Sequence, residues 1–311
     1  MRILVLGAGA VGGYFGGRLA EAGAEITFLV RAKRRDFLNR NGLLVKSPVG
    51  DMALKVKTLL AGDIAQPFDL VLLSCKAYDL DTAMDAVAPA MGRQSALLPL
   101  LNGIAHLDRL KTRFGAGAVL GGCCYAGITL DAEGVIQHIN DLQTLYFGEF
   151  AGGRSARIDA LDALLKRSKV DGQPSDDILQ RMWEKLFMLA ALAAATTLMR
   201  AHIGEIMNAP SGEAFVLATL DECRRIAAAE GHAPEREAVV RAHRLLTQRG
   251  SSFAASMFHD MRKGGPTESD PIIGDLVRRA AARGIDAPIL RVALANLETH
   301  EAARAVGAKA R

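Results

Sequence analysis

The chain has 311 residues, half of them hydrophobic and 23% charged, which exceeds one ordinary core and suits two globular domains of about 150 residues each. The formal net charge is only +4 and aromatic residues make up 5%. With the basic residues spread along the chain, that composition argues against a nucleic-acid-binding protein.

Met1 runs straight into a strand-like stretch at 2–6 (RILVL), without the basic segment and small-residue cleavage site of a secretory signal. A helix-like segment follows at 10–22, then strand-like runs at 25–30 (EITFLV), 69–74 (DLVLLS) and 95–100 (SALLPL), with a second helical segment at 79–91. Strands alternating with helices predict right-handed βαβ units and a parallel sheet, and near-continuous apolar strands predict that both its faces are covered. From 118 to 150 the runs AVLGGCCYAGITL, GVIQHIN and TLYFGEF read as antiparallel strands, with turns such as Glu133-Gly134. The polar stretch KVDGQPSDD (169–177) reads as a linker. Beyond it the pattern is helical, over 178–200, 211–230, 235–249, 269–283 and 288–306. The expected organisation is therefore α/β, a Rossmann-like dinucleotide-binding domain over 1–175 followed by an all-α domain over 176–311. The apolar run LFMLAALAAATTLM (186–199) is shorter than the roughly 20 residues that span a bilayer, so it reads as a buried helix and no membrane partner is expected.

The segment Gly7-Ala8-Gly9-Ala10-Val11-Gly12 is a G-x-G-x-x-G between a strand and a helix, with a second strand ending at Val30. In that context Gly7 permits the tight turn and Gly9 lets backbone approach a pyrophosphate. Gly12 lets the helix pack close to the sheet, while the helix N-terminus offers N–H groups to the anion. Gly16 and Gly17 lie inside the same helix, where each costs about 1 kcal/mol relative to alanine, and close contact with the sheet is the expected compensation. At the end of the second strand an NAD enzyme usually places a carboxylate for the ribose 2′-hydroxyl. Here the sequence is LVRAKRRDF, with Arg31 in that place and Lys33, Arg34 and Arg35 after it. A guanidinium fork binds a 2′-phosphate that a carboxylate would repel, so NADP(H) is the expected cofactor.

These segments, taken with CKAYD (75–79), LLNGI (100–104), WEKL (183–186), SSFAASMFHDMRKGGPTESD (251–270) and GIDAPIL (284–290), resemble the ketopantoate reductase (2-dehydropantoate 2-reductase) family in order and spacing along almost the whole chain. The resemblance implies an active site between a Rossmann-like and a helical domain, and hydride transfer from NADPH to a 2-oxo acid, ketopantoate giving pantoate. Lys185 of WEKL matches the family's general acid, which protonates the carbonyl oxygen. Glu268 matches the acidic partner orienting substrate and lysine, at the cofactor as well. Ser256 matches the serine that binds the substrate carboxylate, Asn102 an asparagine beside nicotinamide and substrate, and Lys76 a lysine at the cofactor edge. Read singly, Lys185 is a surface lysine, Ser256 a helix residue, Asn102 part of an Asn-Gly turn and Glu268 a cap after Pro266. The set at family spacing is what argues against those readings.

The departures are also specific. Asparagines that line the substrate pocket in the family are replaced by Leu189, Ala193 and Ile203. Positions 185, 189 and 193 share one helix face, so a polar tail facing it would lose partners at about 1–3 kcal/mol per unpaired group. A 2-oxo acid or ketone with a more apolar tail suits these residues better, and a non-catalytic NADP(H)-binding sensor is a third reading. An amine-dependent dehydrogenase of related architecture fits WEKL and TESD less well. Arg200 stands in the same segment and is a candidate polar replacement.

The seven histidines have no metal-ligand spacing, so no metal is expected. Cys75, Cys123, Cys124 and Cys223 include no C-x-x-C pair, which suits reduced thiols and a cytoplasmic location. The helical second half is suited to a homodimer interface, and the only other partner expected is the small substrate.

Overall fold

The computed structural model describes residues 1–309. The chain divides into two compact units, the first comprising Met1–Asn102 with His106–Arg181, the second Gly103–Ala105 with Met182 onward.

The first unit opens with β1 (Arg2–Leu6), α1 (Ala10–Glu21), β2 (Glu25–Leu29) and α2 (Ala32–Asn41). Three short strands follow, β3 (Leu43–Lys46), β4 (Met52–Leu54) and β5 (Lys57–Leu59). Then come β6 (Leu70–Leu73), α3 (Leu80–Val87), β7 (Ala96–Pro99) and α4 (His106–Phe114). The strands β5-β2-β1-β6-β7 form a five-stranded sheet, parallel at every pairing. Successive side chains alternate between its faces. Ile3, Val5, Phe28 and Leu72 join a core with Tyr14, Phe15 and Leu19 of α1. Leu4, Leu29, Val71 and Leu73 join another with Leu80, Met84 and Val87 of α3 and Leu110 of α4. Burial on both sides explains why these strands are apolar throughout.

The rest of the unit contains β8 (Gly121–Leu130), β9 (Ile136–Gly148), α5 (Ala156–Leu165) and β10 (Asp171–Pro174). In the second sheet β9 lies at the centre, antiparallel to β8 and parallel to β3 and β10. Two expectations are corrected here. GVIQHIN and TLYFGEF are one 13-residue strand, whose register against β8 jumps from Ala126↔Gln143 to Ile128↔His138. The polar stretch expected to be a linker contains β10, whose residues pair with Thr144–Phe147.

The second unit is helical: α6 (Ile178–Met199, whose first turn belongs to the first unit), α7 (Ile203–Ile206), α8 (Gly212–Ala229), α9 (Arg236–Leu246), α10 (Ser256–Arg262), α11 (Asp275–Ala282) and α12 (Pro288–Lys309). A π-helical turn, Asp270–Gly274, leads into α11. The run expected to be too short for a membrane is part of the 22-residue α6, which by length and composition could cross one; most of it is buried inside the protein as a core helix. Arg200 ends this helix. It has φ +51°, and the Ala201 N–H returns to the Thr196 carbonyl at 3.3 Å, the closing bond of a Schellman turn in which glycine is the usual residue. At the start of α12, Glu222 of α8 is buried and its two carboxylate oxygens accept the N–H groups of Ile289 and Leu290, each at 3.0 Å. That carboxylate satisfies donors a helix start leaves open and lies at the positive end of its dipole.

Candidate functional site

The glycine loop leaves β1 through Gly7, which has φ +89° and donates its N–H to the Leu29 carbonyl at 2.9 Å. A Cβ on Gly12 would overlap Ser74 Oγ and the Gly7 carbonyl oxygen, and Ser74 Oγ is itself held by the Leu6 carbonyl at 2.7 Å. Gly16 is confined less severely, its Cβ position lying 2.9 Å from the side chains of Phe28 and Val5. This is the close helix–sheet contact that offsets glycine in α1. Gly9 differs: its φ and ψ are −80° and −159°, and a Cβ there would meet nothing within 4 Å. Packing does not demand glycine at that position; an approaching ligand would. The start of α1 has no side-chain cap and no acidic residue in its first turn, so its N–H groups suit an anion. Ala8 is buried, and Ala10 and Val11 are half-buried. The loop therefore has the shape and charge a dinucleotide pyrophosphate requires.

The basic residues after β2 divide. Arg31 is 83% exposed, with Nη2 3.2 Å from Asp79 Oδ2, and Lys33 is exposed. Arg34 turns inward. Its Nε donates to the Ala8 carbonyl and its Nη1 to the Gly134 carbonyl, both at 2.9 Å, while the guanidinium lies over Phe37. Burial lowers its pKa. Arg34 thus ties the glycine loop to the β8–β9 turn, a role for which the basic run carries no sequence signal. Lys76 is half-buried and opens the short 3₁₀ turn Ala77–Asp79 after β6. Arg31, Lys76 and Asp79 accordingly lie just beyond the carboxyl ends of the two strands that flank β1, where ligands bind in open parallel sheets.

Lys185, Ser256 and Glu268 all belong to the second unit. Lys185 is half-buried on α6 among buried Met182, Trp183, Glu184 and Leu186. Glu184 faces another way, accepting the Glu235 N–H at 3.2 Å. Leu189 is half-buried one turn after Lys185. Ala193 and Ile203 are enclosed by the protein, 1% and 0% exposed, and the Ile203 N–H donates to the Phe253 carbonyl. Leu189 is thus the one of the three apolar replacements with accessible surface. Ser256 is exposed at the first position of α10.

Glu268 is buried between Thr267 and Ser269, just before the π turn. Glu301 of α12 holds this loop: it accepts the Thr267 N–H at 2.7 Å and the Thr267 hydroxyl at 2.8 Å. Burial opposes its charge, but those bonds and Arg304 leave its pKa below the usual value. Sequence reading missed Glu301 and named Arg34 only within the basic run, because the main-chain N–H and carbonyls that they hold have no sequence signature. Asn102 is the last residue of its stretch in the first unit, and Gly103 after it, with φ +79°, is pressed against Pro271 with a Cβ position 2.9 Å from that carbonyl oxygen. Among the described residues no group of three or more His, Cys, Asp or Glu side chains is arranged to hold a metal.

The family model described as ketopantoate reductase PanE/ApbA matches residues 3–152, and the model of its C-terminal region matches 177–301. The chain is 35% identical to an uncharacterised oxidoreductase, YkpB, of Bacillus subtilis, over 97% of this chain and 99% of that one. It superimposes on the crystal structure of a PanE/ApbA family ketopantoate reductase from Ralstonia eutropha with a TM-score of 0.88 and 26% identity, covering 98% and 99% of the two chains. It shares its fold with D-mandelate dehydrogenase, solved with NADH and anilino(oxo)acetate, at a TM-score of 0.87 and 20% identity over 98% and 99% of the chains. With an open glycine loop, a basic rim and both family models placed along its length, the chain belongs to the ketopantoate reductase family, oxidoreductases that bind a nicotinamide dinucleotide and act on a small oxo acid.

Proposed function

We propose that this protein reduces a 2-oxo acid to the 2-hydroxy acid with NADPH, ketopantoate to pantoate being the reference reaction. The observation that carries the reading is the open position at Gly9, beside an uncapped helix start and an exposed arginine at the end of β2. Gly7 to Gly12 would hold the pyrophosphate, Arg31 the 2′-phosphate and Lys76 the cofactor edge. When bound, the dinucleotide supplies the hydride that reaches the carbonyl carbon. Lys185 gives its proton to the carbonyl oxygen as negative charge develops there, so that C=O becomes CH–OH. Glu268 orients the lysine and substrate, Ser256 binds the carboxylate, and Asn102 positions the carbonyl beside the nicotinamide. These roles rest on the family match at each position.

A second reading is favoured by Leu189, which is apolar and accessible one turn from Lys185: the substrate is a 2-oxo acid with an apolar tail. The test is NADPH oxidation, followed by absorbance, with ketopantoate beside branched and aromatic 2-oxo acids. Lys185→Ala is expected to lower kcat by about 10²–10⁴-fold while cofactor binding persists. Efficient ketopantoate turnover supports the reference reaction, and turnover confined to apolar acids supports the second reading. No Lys185-dependent turnover of any 2-oxo acid would sink both and leave a cofactor-binding protein.

A further inference from the structure

Asp79 closes the 3₁₀ turn Ala77–Asp79 that runs directly into α3, with φ −96° and ψ 4°. Its side chain makes no capping bond to the helix. Its carboxylate lies instead 3.2 Å from Arg31 Nη2. The backbone of Asp79 is fixed: its N–H donates to the Lys76 carbonyl at 2.9 Å and its carbonyl accepts the Thr82 hydroxyl at 2.9 Å. Arg31, by contrast, is 83% exposed. The backbone that carries the carboxylate is therefore held in place, whereas the guanidinium lies mostly in solvent. Arg34 is the less available arginine: its Nε and Nη1 are committed to the Ala8 and Gly134 carbonyls and its Nη2 is buried.

We infer that Asp79 sets the cofactor preference of this protein, opposing the 2′-phosphate of NADPH at Arg31 and keeping NADH usable. The inference rests on the reading that the glycine loop binds a dinucleotide with its adenosine ribose at the end of β2. A 2′-phosphate brings between about one and a half and two negative charges near neutral pH. Arg31 meets Asp79 through Nη2, so a 2′-phosphate taken by the same guanidinium stands beside that carboxylate, a like charge. A 2′-hydroxyl brings no such charge and leaves the Arg31–Asp79 pair in place. β2 ends without the carboxylate that an NAD-binding unit usually places there; Asp79 brings one to the same rim from the neighbouring side, after β6.

The test is direct binding of NADPH and NADH to wild type, Asp79→Asn and Asp79→Glu by titration calorimetry, at low and high salt. Asp79→Asn is expected to tighten NADPH by about threefold to tenfold, the scale of an exposed charge interaction with a multiply charged group, with NADH unchanged or weaker. The gain shrinks as salt screens it, and Asp79→Glu behaves like wild type. A ratio of the two affinities that stays within about twofold of wild type, or a shift of both cofactors together, overturns the inference. If wild type binds neither dinucleotide, the reading of the glycine loop falls and takes this one with it; if wild type binds both and only the ratio fails to move, this inference falls alone.

Discussion

Gly9 and Gly12 stand three residues apart, the first at the N-cap of α1 and the second in its first turn, and alanine at each is expected to have opposite effects. At Gly9 the backbone is extended and an added Cβ meets open space. Alanine adopts that conformation freely, and the smaller range of unfolded conformations raises stability by about 0.4–1 kcal/mol, a Tm gain of about 1–4 °C for a unit of this size. On the proposed reading the methyl would stand where the pyrophosphate approaches the backbone, so NADPH affinity is expected to fall by about tenfold or more, or about 1.4 kcal/mol. At Gly12 the same methyl would overlap both Ser74 Oγ and the Gly7 carbonyl oxygen. Rotating Ser74 away would break its bond to the Leu6 carbonyl, and the Gly7 carbonyl is main chain. Overpacking without relief costs about 3 kcal/mol or more, a Tm loss of about 6–12 °C. Thermal melting and calorimetric NADPH titration of both variants separate the two causes. Gly9→Ala binding NADPH within about twofold of wild type, or melting as low as Gly12→Ala, would refute the argument that Gly9 is kept open for a ligand.

Two further outcomes follow from the helical unit, where Trp183 serves as the fluorescent reporter. Glu222→Ala strips the start of α12 of both its carboxylate acceptors and is expected to destabilise by about 2–4 kcal/mol, read by urea unfolding; a loss under about 1 kcal/mol would show that the carboxylate is not the cap. Glu230 is opposed by burial, but Arg279 at 2.6 Å and Arg283 at 2.8 Å hold its pKa below the ordinary value. Its contribution is therefore complete above the unfolded pKa of about 4.3 and is lost as pH falls through the lower folded value. Glu230→Gln should weaken the protein at neutral pH and flatten its loss of stability below about pH 5, and an unchanged acid profile would refute that assignment.

The sequence by itself determined the elements whose signal is local or periodic. RILVL, the glycine run and EITFLV specify β1, α1 and β2, because apolar strands and a glycine-confined turn leave few alternatives, and the long apolar stripes specify α6, α8 and α12. The same residues pointed to a dinucleotide loop, and the set from Lys76 to Glu268 to the family. Tertiary structure alone decided what depends on a partner far along the chain. DGQP has no apolar alternation and becomes β10 only because β9 offers it a backbone ladder. Ala193 and Ile203 share a sequence argument with Leu189, yet packing encloses the first two and leaves Leu189 half-buried. Arg31 and Arg34 are both arginines of one basic run, and only the fold turns Arg34 to the carbonyls of Ala8 and Gly134 while leaving Arg31 exposed against Asp79. A side chain's direction is set by the partners packed around it, and those are chosen by topology rather than by neighbouring residues.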